Sequence, residues 1–297
     1  MTEPTRAARV TAGNGAPLRA RGRHVLYWMI AARRTTWNHA LDHALATATE
    51  LGRPLLVLEA LRAGYRWASD RFHAFVLQGM ADNRRAFAAA GITYVPYVEP
   101  EPGRGAGLLE ALARDACAVI TDEQPGFFLP RMVAAVAASL DVRLELVDGN
   151  GVLPLRAHER TYATAAAFRR HLQRTALPFL LSPPRDRPLA CVPRVVRDAD
   201  VPAAVARRWP AAPAALLDGA AAQLAALPID HAVAPVAYRG GSTAAGAVLD
   251  DFVATKLARY AEDHNQQLDE ARLDEVCRPE RYLERLADVF DRVAALR

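Results

Sequence analysis

His24-Val25-Leu26-Tyr27-Trp28-Met29 and the following Trp37-Asn38-His39-Ala40-Leu41-Asp42-His43-Ala44-Leu45 decide how this chain folds. The first run is apolar and too short for a helix, which is how a strand buried on both faces reads. The second repeats with helical period, so that Trp37, Leu41, Ala44, Leu45 and Ala48 share one stripe. Thr35 or Thr36 is placed to cap the start, and Gly52 stands where a helix-ending glycine belongs. A switch from strand period to helical period within 28 residues, 24–51, is a β–α unit.

The same alternation continues outward to Val147. Strands are expected at Pro54–Leu58, Ile92–Val98, Ala118–Thr121 and Val142–Val147. Helices are expected at Ser69–Ala90, ended by Gly91, then at Leu108–Asp115 and Pro130–Leu140. Successive β–α steps imply parallel strands with helices on both faces. The expected fold class is therefore α/β: a five-stranded, parallel, Rossmann-like doubly wound sheet. Ligands of such sheets bind beyond the carboxyl ends of the strands, where the strand order reverses. Trp28, Met29, Arg33, Arg34, Asn38, Thr121, Asp122 and Glu123 fall on that edge.

Residues 1–23 lack the apolar run of a signal peptide and read as a flexible basic leader. The α/β domain is expected over residues 24–180 and closes with a basic helix at Thr161–Arg174 carrying Arg169, Arg170, His171 and Arg174. Residues 181–237 are rich in Pro, Ala and Arg and read as an interdomain linker with little regular structure, save one alanine-rich helix near Leu216–Leu227. Residues 238–297 form a short helical segment. One stripe runs through Leu249, Phe252, Val253, Leu257 and Tyr260, and a second through Tyr282, Leu283, Leu286, Val289, Phe290 and Val293. Two helices bury little apolar area alone and need a partner surface.

Hydrophobic residues make up 52% of the 297, which supports packed cores and argues against disorder. No run approaches the roughly 18 apolar residues of a membrane span, so a cytoplasmic protein is expected. Cys117, Cys191 and Cys277 lie far apart and form no C-x-x-C pair, which signals neither a disulfide framework nor a zinc ribbon. The net charge is +4, with Lys256 the only lysine among 37 basic residues. Such a balance permits phosphate-rich partners without requiring them.

Motifs that carry chemistry are few. Gly103-Arg104-Gly105-Ala106-Gly107 precedes a helix, as a phosphate cradle does, but lacks the third glycine of the dinucleotide fingerprint and reads better as a flexible loop. His39 and His43 stand one helical turn apart without the glutamate of a zinc-protease helix or an evident third ligand, so no metal is assigned. Asp122-Glu123 ends a strand where catalytic carboxylates occur, although acidic residues at β–α turns more often cap backbone amides. Arg33-Arg34 suits either an anionic ligand or a surface loop.

Val25-Leu26-Tyr27-Trp28-Met29, Arg34 and Trp37-Asn38-His39-Ala40-Leu41 together resemble the opening of class II deoxyribodipyrimidine photolyases, members of the cryptochrome/photolyase family. The likeness continues through Leu51-Gly52-Arg53-Pro54-Leu55-Leu56-Val57, Arg71 to Met80, and Gly91-Ile92-Thr93-Tyr94, and resumes around Tyr162–Leu172. Gly240 to Asn265 resembles the helix that opens the family's FAD-binding domain, with Tyr260 matching a tyrosine that contacts the flavin. His264-Asn265-Gln266-Gln267 and Leu273 to Pro279 depart from the family pattern, and most of the helical FAD domain is missing from the 297 residues. The resemblance implies light-driven repair of cyclobutane pyrimidine dimers in damaged DNA by electron transfer from FAD, a carbon–carbon lyase reaction. It also implies a deazaflavin antenna at an edge that includes Trp28, Met29, Arg34 and Asn38. A protein partner or a second copy would complete the helical domain. The alternative is a non-enzymatic module that binds a chromophore, a nucleotide or a protein.

Overall fold

In the computed structural model, residues 3–157 and 161–260 are described. The expected helix from Pro279, with Cys277 and the stretches His264–Gln267 and Leu273–Pro279, lies outside them. The strands are β1 (Val10–Ala12), β2 (His24–Met29), β3 (Leu55–Leu61), β4 (Thr93–Val98), β5 (Ala116–Glu123) and β6 (Leu144–Asp148). They form one sheet in the order β1-β6-β5-β2-β3-β4. The helices are α1 (Glu3–Ala7), α2 (His39–Leu51), α3 (Asp70–Ala90), α4 (Leu108–Ala113), α5 (Leu129–Ser139), α6 (Ala165–Thr175), α7 (Leu177–Leu180), α8 (Ala203–Arg208), α9 (Ala214–Leu217), α10 (Ala221–Leu224) and α11 (Ser242–Thr255).

Five parallel strands, β2 to β6, stand where the alternation places them. Side chains of β2 alternate between two cores. Val25, Tyr27 and Met29 pack with Leu41, Ala44 and Leu45 of α2 and Phe87 of α3. Leu26 and Trp28 pack on the opposite face with Leu108 and Leu112 of α4 and Val133 of α5. Burying a leucine or valine side chain contributes about 1.5–3 kcal/mol, so the period-2 pattern is strongly enforced. Gly52 and Gly91 adopt left-handed backbone at φ 61° and 71° and end α2 and α3 as expected.

Three expectations need correction. The sheet has six strands, because residues assigned to a flexible leader supply β1, which pairs antiparallel with β6 (Val10 opposite Val147). Polar contacts secure it. Arg9, 3% exposed, donates to the carbonyls of Asp148 and Val152. Asn14 Oδ1 accepts from Leu144 N (3.0 Å) and its Nδ2 donates to Val142 O (3.0 Å). Three residues held by side-chain hydrogen bonds leave no hydrophobic period to read.

Residues 181–237 are not a loose linker. They form a strap over the α/β layer and bury Val192, Val196, Val205, Trp209, Leu216 and Leu217. The strap covers the β4 edge: Thr93 Oγ1 donates to Ala199 O (2.7 Å), and Ala212 N to Pro96 O (2.7 Å). The helix expected over Leu216–Leu227 is two short ones, α9 and α10, which pack on Leu77 and Met80 of α3. Compact units run from Met1 to Gly241 and from Ser242 onward. The third correction concerns α2. It is capped by Asn38, whose Oδ1 accepts from Leu41 N (2.9 Å), and not by Thr35 or Thr36. No described helix is long and apolar enough to cross a membrane.

Candidate ligand edge at the carboxyl ends of the strands

From β2 the chain winds to β3 and β4 on one side, then returns through β5 to β6 on the other. The reversal lies between β2 and β5, and the loops after these strands face each other across it. Three successive amides of the first loop, Ile30, Ala31 and Ala32, converge on Asp122 Oδ2 at 2.9, 2.8 and 3.1 Å. Convergent amides of this kind make an anion nest. Here the protein fills it with its own carboxylate. Asp122 Oδ1 accepts from the Tyr27 hydroxyl (2.9 Å), which in turn accepts from Asn38 Nδ2 (3.1 Å). Burial pushes the Tyr27 hydroxyl well above its ordinary pKa, and the adjacent Asp122 carboxylate adds to the rise. Tyr27 is therefore a fixed donor at neutral pH.

The glycine-rich loop follows the same rule. Gly103 N and Gly105 N donate to Glu99 Oε1 (2.9 and 3.1 Å), and Ala63 N donates to Oε2 (3.0 Å). Glu59 accepts from Arg33 (3.2 Å), Asn83 (2.9 Å) and the Tyr94 hydroxyl (2.7 Å). Asp148 accepts from Asn150 N (2.9 Å) and Leu155 N. The strands β3 to β6 thus each carry, at or near the carboxyl end, a carboxylate at most 4% exposed that ties down neighbouring segments. Sequence reasoning singled out only Asp122 among the four. For Glu99 and Asp148 the available signal was an acidic residue closing an apolar run, and for Glu59 a lone acidic residue inside one.

The residues expected to face a ligand take internal positions. Trp28 is 6% exposed and sits in the core with Leu58, Val95 and Leu112. Met29 is fully buried. Asn38 gives its amide to Tyr27, Ala32 O (2.9 Å) and Arg34 O (2.9 Å), so its donors and acceptor are all engaged. Arg34 folds back onto the carbonyls of Thr36 (3.1 Å) and Trp37 (3.0 Å). Arg33 is held by Glu59 and by Ala60 O (2.6 Å). The two arginines brace the loop through its own carbonyls and Glu59. Arg34 at its carbonyl and Arg185 O at its amide hold Trp37 in left-handed backbone at φ 48°, a conformation that is costly for a bulky residue without such support.

The two histidines of α2 do not converge on one point. His43 Nε2 lies 2.7 Å from Glu145 Oε2 on β6, whereas His39 has a buried Nδ1 without a partner. Burial, reinforced by Arg9 and Arg34, lowers the His39 pKa to about 3. Tyr260 follows a 3-10 turn (Leu257–Arg259) after α11, with its ring edge-on to Phe252 at 5.7 Å. The described part of the second unit is this one helix and turn. A flavin requires walls on several sides, and these residues do not supply them.

Residues 25–189 match the family model described as DNA photolyase. A curated deoxyribodipyrimidine photo-lyase of Methanothermobacter thermautotrophicus is 32% identical over 177 residues, covering 58% of this chain and 39% of that protein. A cryptochrome structure from Synechocystis superposes with a TM-score of 0.56 at 14% identity, over 91% of this chain and 56% of that one. A class III photolyase structure from Agrobacterium tumefaciens gives 0.49 at 17% identity, over 81% and 46%. The chain thus spans well under two thirds of the length of these relatives. With the family match extending from the first parallel strand into the strap, the chain belongs to the DNA photolyase family.

Proposed function

We propose that this photolyase-related protein serves light-driven repair of cyclobutane pyrimidine dimers in DNA, with reduced FAD as the electron source and Tyr260 as one of its contacts. One observation carries the reading: a relative named deoxyribodipyrimidine photo-lyase shares 32% identity over 177 residues. Most of the walls of the flavin site would come from residues outside the described ones or from a second chain, so no catalytic step is assigned to particular side chains. The bound flavin would supply the electron, and the protein would position it and exclude water. A deazaflavin antenna and a cytoplasmic location belong to the same reading. At the carboxyl edge both backbone nests are filled by Asp122 and Glu99, which favours an antenna held by its rings over one held by a phosphate.

The test is spectroscopic and then chemical. The full chain is purified, incubated with FAD, photoreduced and illuminated with an oligothymidylate that contains dimers. Flavin absorption that stays with the protein, and dimer loss in light but not in darkness, are expected. Retained flavin with intact dimers would sink the repair reading. A colourless protein after incubation would sink the cofactor assignment and leave the chromophore- or partner-binding alternative.

A further inference from the structure

The opposite edge of the sheet, at the amino ends of β2 and β5, carries a feature that the photolyase reading does not use. Arg19, Arg21, Arg23, Arg114 and Asp115 line an open basin of about 410 Å³. Four arginines and one aspartate thus line it, and the other two carboxylates nearby, Asp141 and Asp200, pair with Arg19 and Arg23. The rim is a built turn: Gly22 N donates to Arg19 O (3.0 Å), Arg19 N to Cys117 O (2.9 Å) and Arg23 N to Asp115 O (2.7 Å). A side chain at position 22 would put its Cβ 2.5 Å from the Cys117 amide nitrogen, so only glycine lets the turn lie this close to β5.

The four arginines are not equivalent. Arg19 is engaged by Asp141 (2.5 Å) and by the Arg114 carbonyl (2.7 Å). Arg23 reaches Asp200 at 3.4 Å, with both side chains largely exposed, a pairing of little strength. Arg21 and Arg114 have no acidic partner among the described residues. Arg114 follows α4, where a cation is favoured by the carbonyl end of the helix, yet that leaves its guanidinium donors unused. Two uncommitted guanidinium forks beside a concave surface match the geometry of phosphate oxygens, which arginine binds bidentately.

We propose that this basin binds a phosphate group, with Arg21 and Arg114 as its principal ligands and Arg23 as a third cation. The group arrives either on a small phosphate compound or on a nucleic-acid backbone, and the experiment separates the two. Binding of inorganic pyrophosphate and of an undamaged single-stranded oligonucleotide to the full chain is measured by titration calorimetry over a salt series. The proteins compared are wild type, the Arg21→Ala/Arg114→Ala double variant and Asp115→Asn. All three side chains lie at the open basin, and thermal melts check that each variant is folded.

The double variant is expected to weaken binding about tenfold or more. Asp115→Asn is expected to strengthen it, because it removes the carboxylate that lines the basin itself. If pyrophosphate shows this pattern, the source is a small phosphate compound. If only the oligonucleotide does, with a shallower salt slope in the double variant, the source is a nucleic acid. Affinities that are unchanged by both substitutions, or no binding of either probe to wild type, overturn the proposal.

Discussion

Asp122 shows how much one side chain can organise. It accepts three amides of the loop after β2 and the hydroxyl of a buried tyrosine. Asp122→Ala would leave these donors unpaired, and an unpaired buried donor costs about 1–3 kcal/mol. The expected loss is about 3 kcal/mol or more in urea unfolding. Its neighbour Glu123 pairs with the half-exposed Arg156, and Glu123→Ala should cost under about 1 kcal/mol. His39 makes a pH prediction. In the native state its pKa is lowered to about 3, so it stays neutral there, while in the unfolded chain it takes up a proton below about 6.5. The unfolded state therefore binds more protons in this window, and stability falls as pH drops from 6.5 toward 3. Burial lowers His24 and His73 in the same direction. Where the unfolded imidazole is charged and the native one neutral, each pH unit costs about 1.4 kcal/mol for His39. Between pH 6.5 and 5 the wild type should lose about 2 kcal/mol more than His39→Asn, read as a shift in urea midpoint. Equal losses would show that His39 is not the group responsible.

At the scale of elements, α2 shows where sequence reading succeeds and where it fails. Its stripe of Leu41, Ala44, Leu45 and Ala48 and its terminal Gly52 lie as expected. The choice of cap differs, because Thr35, Thr36 and Asn38 are all residues that cap helices. Only the folded loop brings Asn38 within reach of Tyr27, Ala32 and Arg34 together. Asn38→Ala should lower stability by about 2 kcal/mol, whereas Thr36→Ala should stay within about 0.5 kcal/mol. Thermal melts of the two variants decide which residue is the cap.

At the scale of the molecule, the strap redraws the boundary of the α/β unit. A fragment ending at Leu180 would remove Val192 and Val196 from one core and uncover α3 where Leu216 and Leu217 pack. It would also lose Trp209, which closes the opposite core beside Leu108 and Leu112. At about 1.5–3 kcal/mol for each large apolar side chain, five such losses reach the whole stability of a typical domain, about 5–15 kcal/mol. Residues 1–241 should therefore purify as a soluble species with a cooperative melt, and residues 1–180 should aggregate or melt without cooperativity. A stable 1–180 fragment would return the strap to the status of a linker.

The strands β2 to β6, the helices between them and the edge at which the sheet reverses were legible in the sequence alone, because burying alternate apolar side chains dominates local free energy and leaves a periodic trace. The likeness to photolyases was legible for the same stretch. Tertiary structure alone decided the antiparallel β1, the strap over β4 and the loop latches at Glu59, Glu99, Asp122 and Asp148. These rest on polar groups finding partners far along the chain, as Tyr27 finds Asp122 and Asn14 finds Leu144. A hydrogen bond satisfies a particular donor in a particular place, and no local period records where that place will be.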